Sequence, residues 1–256
     1  MVVIIVQLEL FIMMNYNLKQ AKVASQISND ILSIGERSEH SLHRVIKYMI
    51  DPTSIYHEKK ISSKIVDICI DNKIYEIQTK AFHNLRSKLD VLLDNYEVTI
   101  IYPCIINKKI IKFNENAEVI SSKKSPKKGK PIDALFEFYK IKQYLDHPNL
   151  KFKIFCFNVD EYQQTIKPTY KNRRGKIRID QVPNELLDVI EINNINDYLK
   201  IVPTLNNKFT YKDFLKESKI NKKHASYIFS VIKYLGIYIQ VDKNKKEYIY
   251  EMKKSC

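Results

Sequence analysis

The chain has 256 residues, of which 43 are Lys or Arg and 29 are Asp or Glu, a formal net charge of +14. Apolar residues make up 45% and charged residues 28%, enough to build a core in one large domain or in a main domain with a small companion. Four Gly and eight Pro exclude collagen-like and low-complexity chains and argue against glycine-rich phosphate loops, while a pI near 9.4 points to a polyanionic partner.

Residues 1–18 open with MVVIIVQLELFIMM, too short for a spanning helix and without the basic start of a secretory signal. The stretch reads as an extra strand or as a non-native extension ahead of a start at Met13 or Met14. No other segment could cross a bilayer, so a soluble protein without a membrane partner is expected. Cys69, Cys104, Cys156 and Cys256 lie far apart without a CxxC pair, which fits free thiols in the cytoplasm.

From Lys19 to Ile50 the apolar spacing predicts two helices, with Ile27, Ile31 and Ile34 on the first. Leu42, Val45, Ile46 and Met49 mark the second, and Asp51-Pro52 ends it. Strand-like runs follow at Ile61–Ile65, Val66–Ile70 and Ile74–Thr79, then a helix over Ala81–Leu93. Val98–Tyr102 reads as a strand stopped by Pro103, and Ile105–Phe113 as a hairpin around Asn107-Lys108.

Ser121–Pro131 (SSKKSPKKGKP) has five lysines and no apolar residue, so an exposed loop is expected, either a solvated linker or a phosphate contact. Ile132–Leu145 returns to helix and Lys151–Val159 to strand. A second basic loop over Lys167–Arg178 carries Arg173 and Arg174, whose planar forks suit phosphates and guanine edges.

The end of the chain predicts helices at Asn196–Val202, Tyr211–Ser218 and Lys222–Leu235, then paired strands at Ile237–Val241 and Glu247–Met252. This order resembles a winged helix-turn-helix domain. On that resemblance Lys222, Lys223, His224, Ser226 and Tyr227 open a recognition helix for double-stranded DNA, and Lys243, Lys245 and Lys246 form the wing tip. From Lys208 onward twelve Lys face five Asp and Glu, so +7 of the excess charge sits here.

Ser63–Lys80 (SKIVDICIDNKIYEIQTK) is the informative stretch. A two-residue turn at Asp71-Asn72 would set Asp67 opposite Glu76; one at Asn72-Lys73 would set it opposite Gln78 and diagonal to Glu76. Either way Asp67, Glu76 and Gln78 share one face, whereas a three-residue loop would turn Asp67 away from it. Facing carboxylates repel unless a cation lies between them, and hard oxygens suit Mg²⁺ or Mn²⁺. An ordinary polar strand face is the plainer reading of the same residues.

An aspartate on one strand, Glu-X-Lys or a variant on the next, then a helix and a strand, resembles the PD-(D/E)XK nuclease superfamily over Ser38–Pro103. The resemblance implies an α/β (α+β), restriction-endonuclease-like fold: a central mixed sheet flanked by helices, with the small winged-helix domain behind it. Residues 19–165 would form the nuclease domain, 166–193 a basic connecting segment and 194–256 the winged helix. Carried across, Asp67, Glu76 and the carbonyl of Ile77 would hold Mg²⁺ or Mn²⁺. Gln78 stands where the family usually has lysine, as in some of its restriction enzymes; Lys80 could substitute, and Lys88 is a further candidate.

Glu39, with Glu36 as a rival, matches the acidic residue of the first helix, and Glu39, His43 and Lys47 are spaced to stack on one face. The implied activity is metal-dependent endonucleolytic hydrolysis of DNA, suited to restriction or defence, with a homodimer for double-strand cleavage. A catalytically silent DNA-binding regulator on the same fold is the alternative.

Overall fold

The computed structural model describes residues 17–25, 40–168, 170, 173, 175–205 and 208–253. The expected first helix around Ile27–Ile34, residues 1–16, Glu36, Glu39, Arg174 and Cys256 lie outside them.

The fold is α+β. The larger sheet is mixed and flanked by helices, with strands in the order β1-β2-β3-β4-β6-β7 and β5 paired to β4 off that path. The strands are β1 (His57–Ile61), β2 (Lys64–Ile70), β3 (Lys73–Ile77), β4 (Glu97–Phe113), β5 (Val119–Lys124), β6 (Leu150–Thr165) and β7 (Lys176–Ile192). The α-helices ahead of the C-terminal module are α1 (residues 17–24), α2 (Ser41–Ile50), α3 (Arg86–Leu92) and α4 (Ala134–Phe138). Contacts divide the chain into two compact units.

One unit comprises residues 1–70, 103–129 and 155–189. Leu42, Val45 and Ile46 bury one face of α2, each such side chain contributing about 1.5–3 kcal/mol. The start of α2 receives no cap from its own flank: Ser41 N–H donates to Asp180 Oδ1 of β7 at 3.0 Å, and Ser41 Oγ donates to Oδ2. After α2, Asp51 folds the chain back by accepting from Thr53 N (3.0 Å), Thr53 Oγ1 (2.5 Å) and Tyr56 N (2.9 Å). β1 and β2 form an antiparallel hairpin in which Ile61 faces Lys64, so the expected strand Ile61–Ile65 is instead a turn through Ser62-Ser63. Ser62 turns the chain with φ 52°. Phe113 stacks on Tyr162, and Val182 completes that cluster. Cys104 and Cys156 are buried.

The other unit comprises residues 71–102, 130–154 and 190–256. β3 runs parallel to the start of β4, Lys73 facing Glu97 and Ile77 facing Ile101, and Gln78 N–H adds a last bond to Ile101 O at 3.0 Å. The 3-10 turn Phe82–Leu85 and α3 form the crossover between these parallel strands. The expected helix Ile132–Leu145 is divided into a 3-10 turn, α4 and a second 3-10 stretch (Tyr139–Tyr144), with Ile141 out of helical geometry. Phe138 packs on Phe152 at 4.1 Å and on Phe82 at 5.7 Å, which ties α4 to the crossover.

Three further expectations change at strand level. β4 continues through Pro103 to Phe113 as one strand, so neither a stop at Pro103 nor a hairpin at Asn107-Lys108 forms. The next β3 ladder bond would need the N–H of residue 103, and proline has none, so Pro103 limits the pairing and leaves the strand intact. The first four residues of the lysine-rich stretch are strand: they belong to β5, which pairs antiparallel with β4. The expected connector 166–193 contains β7, 17 residues long and last in the sheet order.

The C-terminal module comprises β8 (Phe209–Thr210), α5 (Tyr211–Ser218), α6 (Lys222–Tyr234), β9 (Tyr238–Lys243) and β10 (Tyr248–Met252), its three-stranded sheet ordered β8-β10-β9. Thr210 caps α5 with Asp213 reciprocating, and Asn221 caps α6. The module's core is aromatic, with Phe214 and Phe229 at 5.0 Å and Phe209 and Tyr238 at 4.8 Å.

Candidate functional site

β2 ends at Ile70 and β3 begins at Lys73, so Asp71-Asn72 links them, with Asp71 at φ 53°. Aspartate tolerates that left-handed backbone better than most residues. Asp67 and Glu76 fall in different units, and each meets a cation within its own unit.

Asp67 Oδ2 lies 3.2 Å from His43 Nε2 of α2, an ion pair when the imidazole is protonated. His43 thus belongs with Asp67. Lys47, one turn on, is buried and pairs with Glu58 instead.

Glu76 is 3% exposed near the end of β3. Lys88 Nζ on α3 donates to both of its carboxylate oxygens at 2.8 Å. The crossover sets this geometry: Phe82 N–H donates to Glu137 Oε2 (3.2 Å), and Arg86 Nε donates to Lys140 O (2.7 Å). These bonds hold both ends of the Phe82–Leu85 turn against the α4 region, and with it the start of α3. Lys88 therefore lies beside Glu76.

Lys80 does not. β3 ends at Ile77, so strand alternation no longer governs Lys80; its side chain is exposed, and its carbonyl accepts Gln78 Nε2 at 2.5 Å. Gln78 is turned to the backbone by the same bond. Among the described residues no group of three or more His, Cys, Asp and Glu gathers to hold a metal ion.

In the C-terminal module Lys222, Lys223 and Ser226 are exposed along the first turns of α6. His224 and Tyr227, on the same turns, also meet aromatic rings of their own unit, with Tyr227 still exposed. His224 stacks on Phe136 of α4 with centroids 3.8 Å apart, and Tyr227 packs edge-on against Phe136 (5.6 Å) and Tyr139 (4.9 Å). Aromatic side chains bury most area where another ring is within reach, and α4 supplies one. The turn after β9 is shaped by Asn244 Oδ1, which accepts from Lys246 N (2.9 Å) and Glu247 N (2.7 Å). It leaves Lys243, Lys245 and Lys246 exposed, with Lys243 over the ring of Tyr248. Arg173 is exposed and lies over the ring of Tyr170 at 5.6 Å.

No helix among the described residues is long and apolar enough to cross a membrane. A protein of Treponema pallidum (strain Nichols), described as uncharacterized, is 29% identical over 162 residues. The match covers 62% of this chain and 62% of that protein, so the chain spans about three fifths of its relative's length. No solved structure matches. Residues 40–193, from the start of α2 to the end of β7, match the family described as Domain of unknown function (DUF8091), and the chain belongs to that family.

Proposed function

We propose that the chain is a Mg²⁺- or Mn²⁺-dependent deoxyribonuclease in which Glu76, Asp67 and Lys88 carry the chemistry. The observation that carries this reading is the buried Glu76 carboxylate held by Lys88 through the β3-α3-β4 crossover. The element order from α2 through β1, β2, β3 and α3 to β4 supports it, being the order that the nuclease resemblance implies.

The donor set fits the ion. Mg²⁺ is held by one or two carboxylates and keeps several waters, and Glu76 offers such a carboxylate. Glu76 and the carbonyl of Ile77 would hold it, with Asp67 as the further carboxylate that the nuclease resemblance implies, and bound there it would lower the pKa of water and stabilise charge on the scissile phosphate. Lys88 supplies the ammonium that the neutral amide of Gln78 cannot. It orients the Glu76 carboxylate with two of its protons, and the third could orient an attacking water. The β8-α5-α6-β9-β10 module would grip duplex DNA through Lys222, Lys223 and Ser226 on the helix and Lys243, Lys245 and Lys246 on the wing. A restriction or defence role and a homodimer suit this activity.

One observation favours a second reading, a silent DNA-binding regulator: Asp67 and Glu76 are already matched by His43 and Lys88. Cleavage of plasmid and linear DNA with Mg²⁺ or Mn²⁺ separates the two. Metal-dependent cutting is expected for the wild type and loss in Asp67→Ala, Glu76→Ala and Lys88→Ala. No cutting beside intact, salt-sensitive DNA binding would overturn the nuclease in favour of the regulator.

A further inference from the structure

The far half of β4, with β5 and the segment that follows it, encloses a cavity of about 450 Å³ whose walls carry Lys108, Lys109, Lys124 and Lys128. We propose that it is a binding site for the phosphate of a nucleotide or of a nucleic-acid strand end.

Charge is the first argument. Asp160 is the cavity's one acidic lining residue, so four lysines leave an excess of three. Glu161 neutralises Lys108 at 2.8 Å and the Glu185 carboxylate lies behind Asn158, which lowers the excess to one. Lys109, Lys124 and Lys128 are exposed and have no ion-pair partner among the described residues.

Register is the second. Lys109 and Lys124 are direct cross-strand partners on antiparallel β4 and β5. Like charges placed opposite each other destabilise a sheet pair, and a phosphate between them turns that repulsion into attraction. Phosphate supplies several anionic oxygens for a pair of ammonium groups to share.

Preorganisation is the third. The segment after β5 is bound back to β4 by Ser125 N–H to Lys108 O (2.7 Å) and by Gly129 N–H to Ile105 O (3.0 Å). A Cβ at Gly129 would overlap that same Ile105 oxygen, so glycine allows the close approach that sets Lys128 at the rim. Among the lining residues, Asn158 Nδ2 donates to Glu185 Oε2 (2.5 Å), and its Oδ1 accepts from Asn107 Nδ2 (2.8 Å). This fixes Asn107 and leaves its second amide proton for a ligand oxygen. The volume accommodates a nucleotide, within the range of small-molecule sites.

The site uses none of Asp67, Glu76 and Lys88, so it stands or falls apart from DNA cleavage. The test uses the full chain, with binding measured by calorimetry for ATP and by anisotropy for one oligonucleotide carrying either a 5′-phosphate or a 5′-hydroxyl. Lys109→Gln/Lys124→Gln is compared with Lys59→Gln/Lys60→Gln, which removes the same charge from exposed positions of β1. A free nucleotide as ligand predicts ATP binding that weakens about tenfold or more in the first variant only. A strand end predicts instead a 5′-phosphate preference that disappears in the first variant only. Thermal melts confirm that both variants fold. Neither ATP binding nor a 5′-phosphate preference in the wild type, no effect of Lys109→Gln/Lys124→Gln, or equal losses in both variants would each overturn the site and leave only general attraction to polyanions.

Discussion

Lys88 Nζ bonds both oxygens of Glu76 at 2.8 Å, joining a helix to a buried carboxylate twelve residues earlier in the chain. A carboxylate 3% exposed is costly to leave without a counter-charge, so the pair acts on stability as well as on any chemistry. Lys88→Ala is expected to cost about 1–3 kcal/mol, because it strands the Glu76 charge. Lys88→Met combined with Glu76→Gln should recover most of that loss while restoring no cleavage. Urea unfolding of the single and double variants checks it; additive losses would show that the two residues do not act as a pair.

Asp180 should matter to α2, although it lies 139 residues away. Its carboxylate accepts from Ser41 N–H and Ser41 Oγ at a helix start that lacks a local cap. Asp180→Ala is expected to lower stability by about 1–2 kcal/mol, and Asp180→Asn by less because it retains an acceptor. Equal loss in both, measured by chemical denaturation, would show that the bulk of the side chain matters and the cap does not.

Acid should weaken the turn after α2. Burial pushes the Asp51 carboxyl up, but the hydrogen bonds from Thr53 and Tyr56 and the nearby His57 outweigh it, leaving the group below its ordinary 3.8. A carboxyl lowered in the folded state stabilises the protein above its unfolded value and loses that contribution as pH falls through the folded one. Asp51→Asn should therefore lower stability at pH 6 and cost progressively less below about pH 4. A difference between wild type and variant that stays constant from pH 6 to pH 2.5 would refute this.

Tyr198 offers a gain. Its ring is 1% exposed beside a cavity of about 560 Å³, and its hydroxyl has no hydrogen-bond partner among the described residues. Burial raises its pKa, so it stays protonated at neutral pH. Tyr198→Phe should leave stability unchanged or raise it by about 1 kcal/mol, since a buried donor without an acceptor is lost. Destabilisation by that amount would reveal a partner supplied from the cavity.

Local pattern was legible where a single element buries one face. The spacing of Leu42, Val45 and Ile46 foretold α2, and Thr210 and Asn221 announced the starts of α5 and α6 within a residue. The Asp71-Asn72 link between β2 and β3 was legible as one of two choices. The lysine-rich segment misled, because lack of apolar residues marks exposure and does not exclude a strand at a sheet edge.

The sequence by itself determined the basic charge, the mixed α+β make-up and the separate run of elements at the C-terminus, since periodicity and capping act within a few residues of chain. The tertiary structure decided which residues meet: Lys88 and not Lys80 beside Glu76, His224 and Tyr227 on the α4 region, Lys109 facing Lys124, and Asp180 at the head of α2. These pairings join residues 12 to 139 positions apart. Strand order, register and helix packing set them, and no local pattern of side chains encodes those.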